Sequence, residues 1–218
     1  MTDAHCHVSC GDESVREFLV GRDFFGIHPW DVPTGADERA AALGAVRSSL
    51  LANPKAGVGE IGLDRLKARE IPPEMREMFA EQLKLALELD RPVVLHGAKC
   101  WGQVVAAIKA VGAAHAHGFG KPFIFHGFSR SSGLIPEIVA MNGYISVGPA
   151  ILNDHAVNYR ELAKAIPEER LLVETDRTAE SAAVSICDVL AKLAEVRGVS
   201  AAALEVVTDE NAREVVGR

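Results

Sequence analysis

Long apolar runs are missing from this chain of 218 residues. Its longest, such as 92–95 and 171–173, fall far short of the roughly 20 residues that span a bilayer, which excludes a helical membrane protein. Basic charge is also scarce. With 23 Lys and Arg against 30 Asp and Glu, the formal net charge is −7, which argues against holding duplex DNA through a broad basic face and leaves room for a local site for one phosphate. The four cysteines, Cys6, Cys10, Cys100 and Cys187, are too few and too scattered for a disulfide framework and are read as thiols in a reducing compartment. The opening Met1-Thr2-Asp3 lacks a basic region with an apolar run behind it, so no secretory signal is expected and the cytoplasm is the expected location. What is present is an ordinary globular mixture, 48% hydrophobic and 24% charged with 19 Gly and 10 Pro. It excludes disorder, collagen and low complexity. No linker interrupts it, so residues 1–218 are expected to form one domain.

Short β-branched or aromatic runs alternate with longer stretches of helical spacing, the pattern of a parallel sheet connected by helices. Strands are expected over 2–7, 24–28, 56–61, 92–96, 122–126, 144–147 and 171–176. Helices are expected over 37–52, 73–89, 102–111, 134–141, 156–165, 181–197 and 201–216. The interval from His7 to Phe24 holds only 15–20 as regular structure, a vestigial strand. The fold class that follows is α/β, a TIM-type (β/α) barrel with a shortened first βα unit, seven-stranded or distorted. The polar residues support it: His5 and His7, His28, Glu60, His96, His126 and Asp176 each fall at or near the C-terminal end of a separate expected strand. In a (β/α) barrel those ends converge on one mouth, where catalysis occurs.

His5 and His7 are two apart on a strand, so both imidazoles point the same way and one metal can take both. Taken alone, they are more often two unrelated histidines. Glu60 ends an otherwise apolar strand, where an unpaired buried carboxylate is costly and calls for a metal or a cationic partner. His96 and His126 repeat one design, an apolar strand ending in His and then Gly; either alone is as readily a core histidine, but the repetition favours ligands. Asp176 closes the series. Four imidazoles and two carboxylates can hold two divalent ions about 3.5 to 4 Å apart, with one carboxylate bridging and water filling the open positions. Such a site is hydrolytic. Four His favour Zn, Mn or Co, with Mg retained because cellular availability also matters.

At these residues the chain resembles the TatD family of metal-dependent deoxyribonucleases in the amidohydrolase superfamily. The resemblance runs through Asp3-Ala4-His5-Cys6-His7, Gly26-Ile27-His28-Pro29-Trp30, Gly59-Glu60-Ile61-Gly62-Leu63-Asp64, Phe79-Ala80-Glu81-Gln82-Leu83, His126-Gly127-Phe128-Ser129, Glu174-Thr175-Asp176 and Asn211. It implies that His5, His7, Glu60 and Asp176 bind one metal and Glu60, His96 and His126 the second. It further implies that a metal-activated water attacks phosphorus, with Asp176 handling its proton, and places His28 near the substrate phosphate. Trp30 offers a face for a base, or else covers its loop with Pro29. The chain departs from the family in three places. It is short between His7 and His28; Ala98 then Lys99 stand where a basic residue usually lies two positions after His96; and Arg177-Thr178 replace a small residue and Pro. Lys99 is retained as the substrate contact there.

Other polar residues read more plainly. His115 and His117 copy the spacing of the first motif but follow a helix and precede a strand, which puts them at the opposite barrel end. Cys6 should face the helices and Cys10 lies in a loop, so neither is expected to ligate zinc. Cys100 and Cys187 read as packing residues, and His155 as a solvated loop histidine. The leading expectation is a phosphodiesterase that removes nucleotides from single-stranded or frayed 3′ ends of DNA, without a membrane or an obligate protein partner. A hydrolase of a small phosphoester, amide or ester uses the same site. A non-catalytic metal-binding protein is disfavoured by the full set of six ligands.

Overall fold

The computed structural model describes residues 1–67, 69–129, 132–181 and 184–217. Eight strands and seven α-helices occur among them: β1 (Thr2–Cys6), β2 (Arg16–Leu19), β3 (Phe24–Phe25), α1 (Ala36–Ala52), β4 (Gly57–Asp64), α2 (Pro73–Glu88), β5 (Val93–Ala98), α3 (Trp101–Ala113), β6 (Phe123–Phe125), α4 (Ile135–Ala140), β7 (Gly143–Val147), α5 (Val157–Ala165), β8 (Leu171–Val173), α6 (Ile186–Arg197) and α7 (Ala201–Val215). The strand-helix alternation is the one the apolar spacing predicts. No helix is long and apolar enough to cross a membrane. The chain divides into two compact units, one of Met1–Val20 and Ile124–Arg218, the other Gly21–Phe123.

In the first unit the vestigial segment at 15–20 does form a strand. β2 runs parallel to β1, with Thr2 opposite Arg16 and Cys6 opposite Leu19. β7 pairs in parallel with β8, and a single bridge joins Cys6 to Arg177. β1 and β7 are buried along their whole length, as parallel strands covered on both faces must be. Phe18, Phe125, Phe128, Ile145, Leu172 and Leu193 are core residues. The helix expected over 181–197 begins only at Ile186, because the Ser185 side chain accepts from the Cys187 N–H and caps it. Residues 182 and 183 lie outside the described residues. This start also corrects the reading of Cys187. Ile186, Val189, Leu190 and Leu193 form the buried stripe of α6, and Cys187 falls off it and is exposed.

In the second unit β3, β4 and β5 are all parallel. β3 is much shorter than the expected 24–28, since the chain leaves the sheet after Phe25 and turns into a 3-10 helix at Pro29–Asp31. Gly26 permits the exit: a Cβ there would lie 2.7 Å from Ile61 Cγ2 and 2.9 Å from the Gly59 carbonyl carbon. β4 extends beyond the expected 56–61 to Asp64 and is buried throughout. Gly62 allows this, because a Cβ on it would sit 2.0 Å from the His96 carbonyl oxygen, so β4 and β5 approach here backbone to backbone. Phe24, Leu50, Phe79, Leu83, Val94 and Trp101 pack the interior of this unit. Cys100 packs as expected, its thiol donating to the Leu63 carbonyl at 3.1 Å.

Candidate metal centre

Each unit presents its own cluster of imidazoles and carboxylates. In the first unit, β1 places His5 in the interior, 1% exposed, and His7 just past the strand end on the solvent side. Asp176 lies three residues beyond β8, held by its N–H donating to the His5 carbonyl at 3.0 Å. Its φ of +48° is a left-handed conformation uncommon outside glycine and tolerated by Asp. Its Oδ1 is 3.6 Å from His5 Nε2 and 3.5 Å from His7 Nε2. His126 follows β6, with its ring centre 4.2 Å from that of His5. Ligand atoms of His5, His126 and Asp176 all lie within 4.8 Å of one another. Two ligands about 2.0 to 2.2 Å from one ion are at most about 4.3 Å apart, so the donor set fits a divalent cation after small side-chain shifts.

Buried carboxylates stand behind these ligands. Glu174 Oε1 faces His126 Nδ1 at 3.5 Å and accepts from the Gly127 N–H at 2.7 Å, and its other oxygen accepts from the Ser146 hydroxyl. Asp3 accepts from the Thr175 N–H at 2.9 Å and from the Thr175 hydroxyl at 2.6 Å, tying β1 to the segment that carries Asp176. Burial pushes the Asp3 carboxyl up to about 6 against those hydrogen bonds. Asp3, Cys6 and Glu17 also cluster closely enough for a metal. Their acceptors already have partners, Asp3 in Thr175 and Glu17 in the Ser9 hydroxyl, the Cys10 N–H and Arg177.

In the second unit, Glu60 is the fourth residue of the eight in β4, not its tip, and is 3% exposed. His96 Nδ1 is 2.7 Å from Glu60 Oε1, and its Nε2 is 2.8 Å from Asp64 Oδ2. Asp64 is buried and also accepts from the Leu66 N–H at 2.5 Å. It therefore holds Nε2 and turns Nδ1 toward Glu60. His28 brings its Nε2 to 3.7 Å from Glu60 Oε1, and His28, Glu60 and His96 also form a group with ligand atoms within 4.8 Å. The sequence reading assigns His28 to the substrate; its Nδ1 accepts from the Trp30 backbone N–H at 3.2 Å, which turns Nε2 toward Glu60. Gln82 fixes this segment, accepting from the Ile27 N–H at 2.6 Å and donating to the Ile27 carbonyl at 3.1 Å.

Of the remaining residues singled out in the sequence, Trp30 is exposed, with its ring edge-on to His28 at 5.0 Å. Lys99 is exposed one residue past β5, at φ +58°. His155 is exposed in its loop, as expected. His115 and His117 lie between α3 and β6, on the side of the strand starts, and line a cavity of about 420 Å³ with Lys84, Leu87 and Glu88. They enter no metal-capable group of three or more among the described residues. Sequence reasoning missed Asp64 and Glu174, which sit inside motifs it quoted but whose burial beside the histidines depends on tertiary packing.

The TatD related DNase family model matches residues 14–217. The chain belongs to the TatD-related DNase family. Its relatives include the uncharacterized metal-dependent hydrolase YabD of Bacillus subtilis, 31% identical over 165 residues, which cover 75% of this chain and 61% of YabD. The 3′-5′ ssDNA/RNA exonuclease TatD of Cronobacter sakazakii is 29% identical over 206 residues, covering 86% of this chain and 73% of the relative. The solved structure of YJJV, a TatD homolog from Escherichia coli, matches 95% of this chain and 79% of its own with a TM-score of 0.72 at 24% identity. That likeness concerns the fold alone, a TIM-type (β/α) barrel.

Proposed function

We propose that this TatD-family chain is a single-domain, metal-dependent hydrolase of phosphodiester bonds that removes nucleotides from single-stranded or frayed 3′ ends of DNA in the cytoplasm. The observation that carries the reading is the pair of clusters, His5, His7, His126 and Asp176 in one unit and His28, Glu60 and His96 in the other. They occur in a chain whose relatives are named metal-dependent hydrolases and 3′-5′ exonucleases. We assign His5, His7, Glu60 and Asp176 to one divalent ion and Glu60, His96 and His126 to a second, with Zn, Mn or Mg as candidates.

Such ions neutralise phosphate charge and lower the pKa of water toward neutrality. The chain's residues do the rest. Asp176 is half-exposed and touches both His5 and His7, so it can accept the proton of the attacking water while staying within reach of the ligands. Glu60, buried in β4, would supply negative charge to a bound cation. Asp64 holds His96 through Nε2, and Glu174 sets a buried carboxylate 3.5 Å from His126 Nδ1. His28 orients a phosphate oxygen, Trp30 stacks a base, and Lys99 offers a further cation. With a net charge of −7, the ions are the main attractors of phosphate, which favours a few nucleotides at an end over a long duplex. The test is cleavage of 3′- and 5′-labelled single-stranded and duplex DNA by metal-analysed protein, beside a panel of small phosphoesters, amides and esters. Mononucleotides released from the 3′ end support the reading, and turnover of the small esters alone overturns it.

A further inference from the structure

Trp30 and Lys67 form a contact that the ligand chemistry does not use. The Lys67 ammonium lies 3.6 Å from the centre of the Trp30 ring, and both residues are exposed. Among the described residues Lys67 has no ion pair with any carboxylate, although acidic groups outnumber basic ones in this chain, 30 to 23. Both residues are rooted in the cluster of the second unit. Trp30 donates its backbone N–H to His28 Nδ1 at 3.2 Å, and its ring lies 6.5 Å from that of His96. Lys67 follows Asp64 by three residues, in a loop that the Asp64 carboxylate holds through the Leu66 N–H.

An exposed ammonium over an indole face is held weakly, whereas a phosphate oxygen gives it a charge-assisted hydrogen bond. A phosphate that draws Lys67 away uncovers the indole face, and a nucleobase stacks on such a face whatever its identity. We propose that Lys67 and Trp30 form a nucleotide subsite beside His28 and His96, in which Lys67 binds a phosphate of the strand and Trp30 stacks the adjoining base. The proposal rests on the nuclease reading above for the presence of a strand there, and it adds Lys67 as the residue that recognises phosphate. Lysine suits the role as a mobile point charge that does not require one fixed geometry.

Tryptophan emission tests this directly, because the chain has two Trp residues and Trp101 is 2% exposed while Trp30 is 51% exposed. The full-length protein, metal-loaded and again in excess chelator, is titrated with thymidine 5′-monophosphate and with thymidine. We expect the nucleotide to bind about tenfold more tightly than the nucleoside even with chelator present, and both to change the emission of Trp30. Lys67→Ala should bring the nucleotide to the affinity of the nucleoside and leave the nucleoside unchanged, while Lys67→Arg keeps most of the difference. Trp30→Phe should abolish the emission change. Equal affinity of nucleotide and nucleoside for the unaltered protein, or unchanged nucleotide affinity in Lys67→Ala, overturns the subsite. Hydrolysis of a bis-aryl phosphate, which carries no base, is measured on the same preparation and reads the nuclease proposal separately. Its absence beside the expected titrations removes that proposal and not the subsite, and its presence beside an unaltered Lys67→Ala titration does the reverse.

Discussion

Asp64→Asn tests whether the carboxylate behind His96 matters for metal binding. In the native arrangement Asp64 Oδ2 is 2.8 Å from His96 Nε2 and Oδ1 accepts from the Leu66 N–H at 2.5 Å, so a charged acceptor stands ready for a proton on Nε2. The other nitrogen, Nδ1, lies 2.7 Å from Glu60 Oε1, and a cation taken up by Nδ1 and Glu60 together needs the ring proton on Nε2. Asparagine keeps the volume but loses the charge. It can also turn its NH2 toward Nε2, which puts the ring proton on Nδ1 and blocks ligation. Losses of this kind at residues supporting a metal ligand run to about 10- to 100-fold in metal affinity, or about 1.4 to 2.7 kcal/mol. Competition titration against a chelator at neutral pH measures the affinity, nitrogen NMR of His96 reports the tautomer, and thermal denaturation checks that the fold persists. A folded Asp64→Asn protein that binds metal within about twofold of the unaltered one, with the same His96 tautomer, would refute the reasoning.

Gln82→Leu leaves the Ile27 N–H and carbonyl without their partners in the interior, and chemical denaturation should show a loss of about 2 to 4 kcal/mol; a loss below about 0.5 kcal/mol would mean that water replaces the amide. Burial alone would raise the Glu17 carboxyl, but hydrogen bonds from the Ser9 hydroxyl and the Cys10 N–H, with the Arg177 charge, hold it below its usual value of 4.5. Its contribution to stability is then present above that unfolded-state value and lost as pH falls through the lower folded one. The gap in melting temperature between the unaltered protein and Glu17→Gln should be steady above pH 4.5 and close in acid, and a gap independent of pH would contradict this. Glu60→Gln should lower metal content and turnover together, since a neutral amide cannot balance two dications. Asp176→Asn should lose turnover more completely than metal, and near-native turnover with full metal content would remove its proton-handling role.

The elements were legible where apolar periodicity is strong. β4 and β7 are buried along their whole length, and their apolar runs announced them. The short segment read as vestigial forms β2 because its residues pair with β1. β3 was overextended because Gly26, needed for backbone to pass Ile61 and Gly59, looks in sequence like one more strand residue. The position of Glu60 was misjudged for a related reason: Gly62 lets the strand run on against His96. The candidate ligands were readable from residue type and position. Their supporting carboxylates were not, since the burial of Asp64 and Glu174 depends on tertiary packing. Nor was the approach of Lys67 to Trp30, which depends on how one loop folds back over another.

The central claim is that bound divalent metal makes this chain a hydrolase of DNA ends. Protein stripped with chelator and then reloaded with Zn, Mn or Mg, its metal content measured, is incubated with single-stranded DNA labelled at one end or the other. The account predicts no cleavage without metal and stepwise release of mononucleotides from the 3′ end once it is restored. Fully loaded protein that leaves the DNA intact with each of the three metals would contradict it.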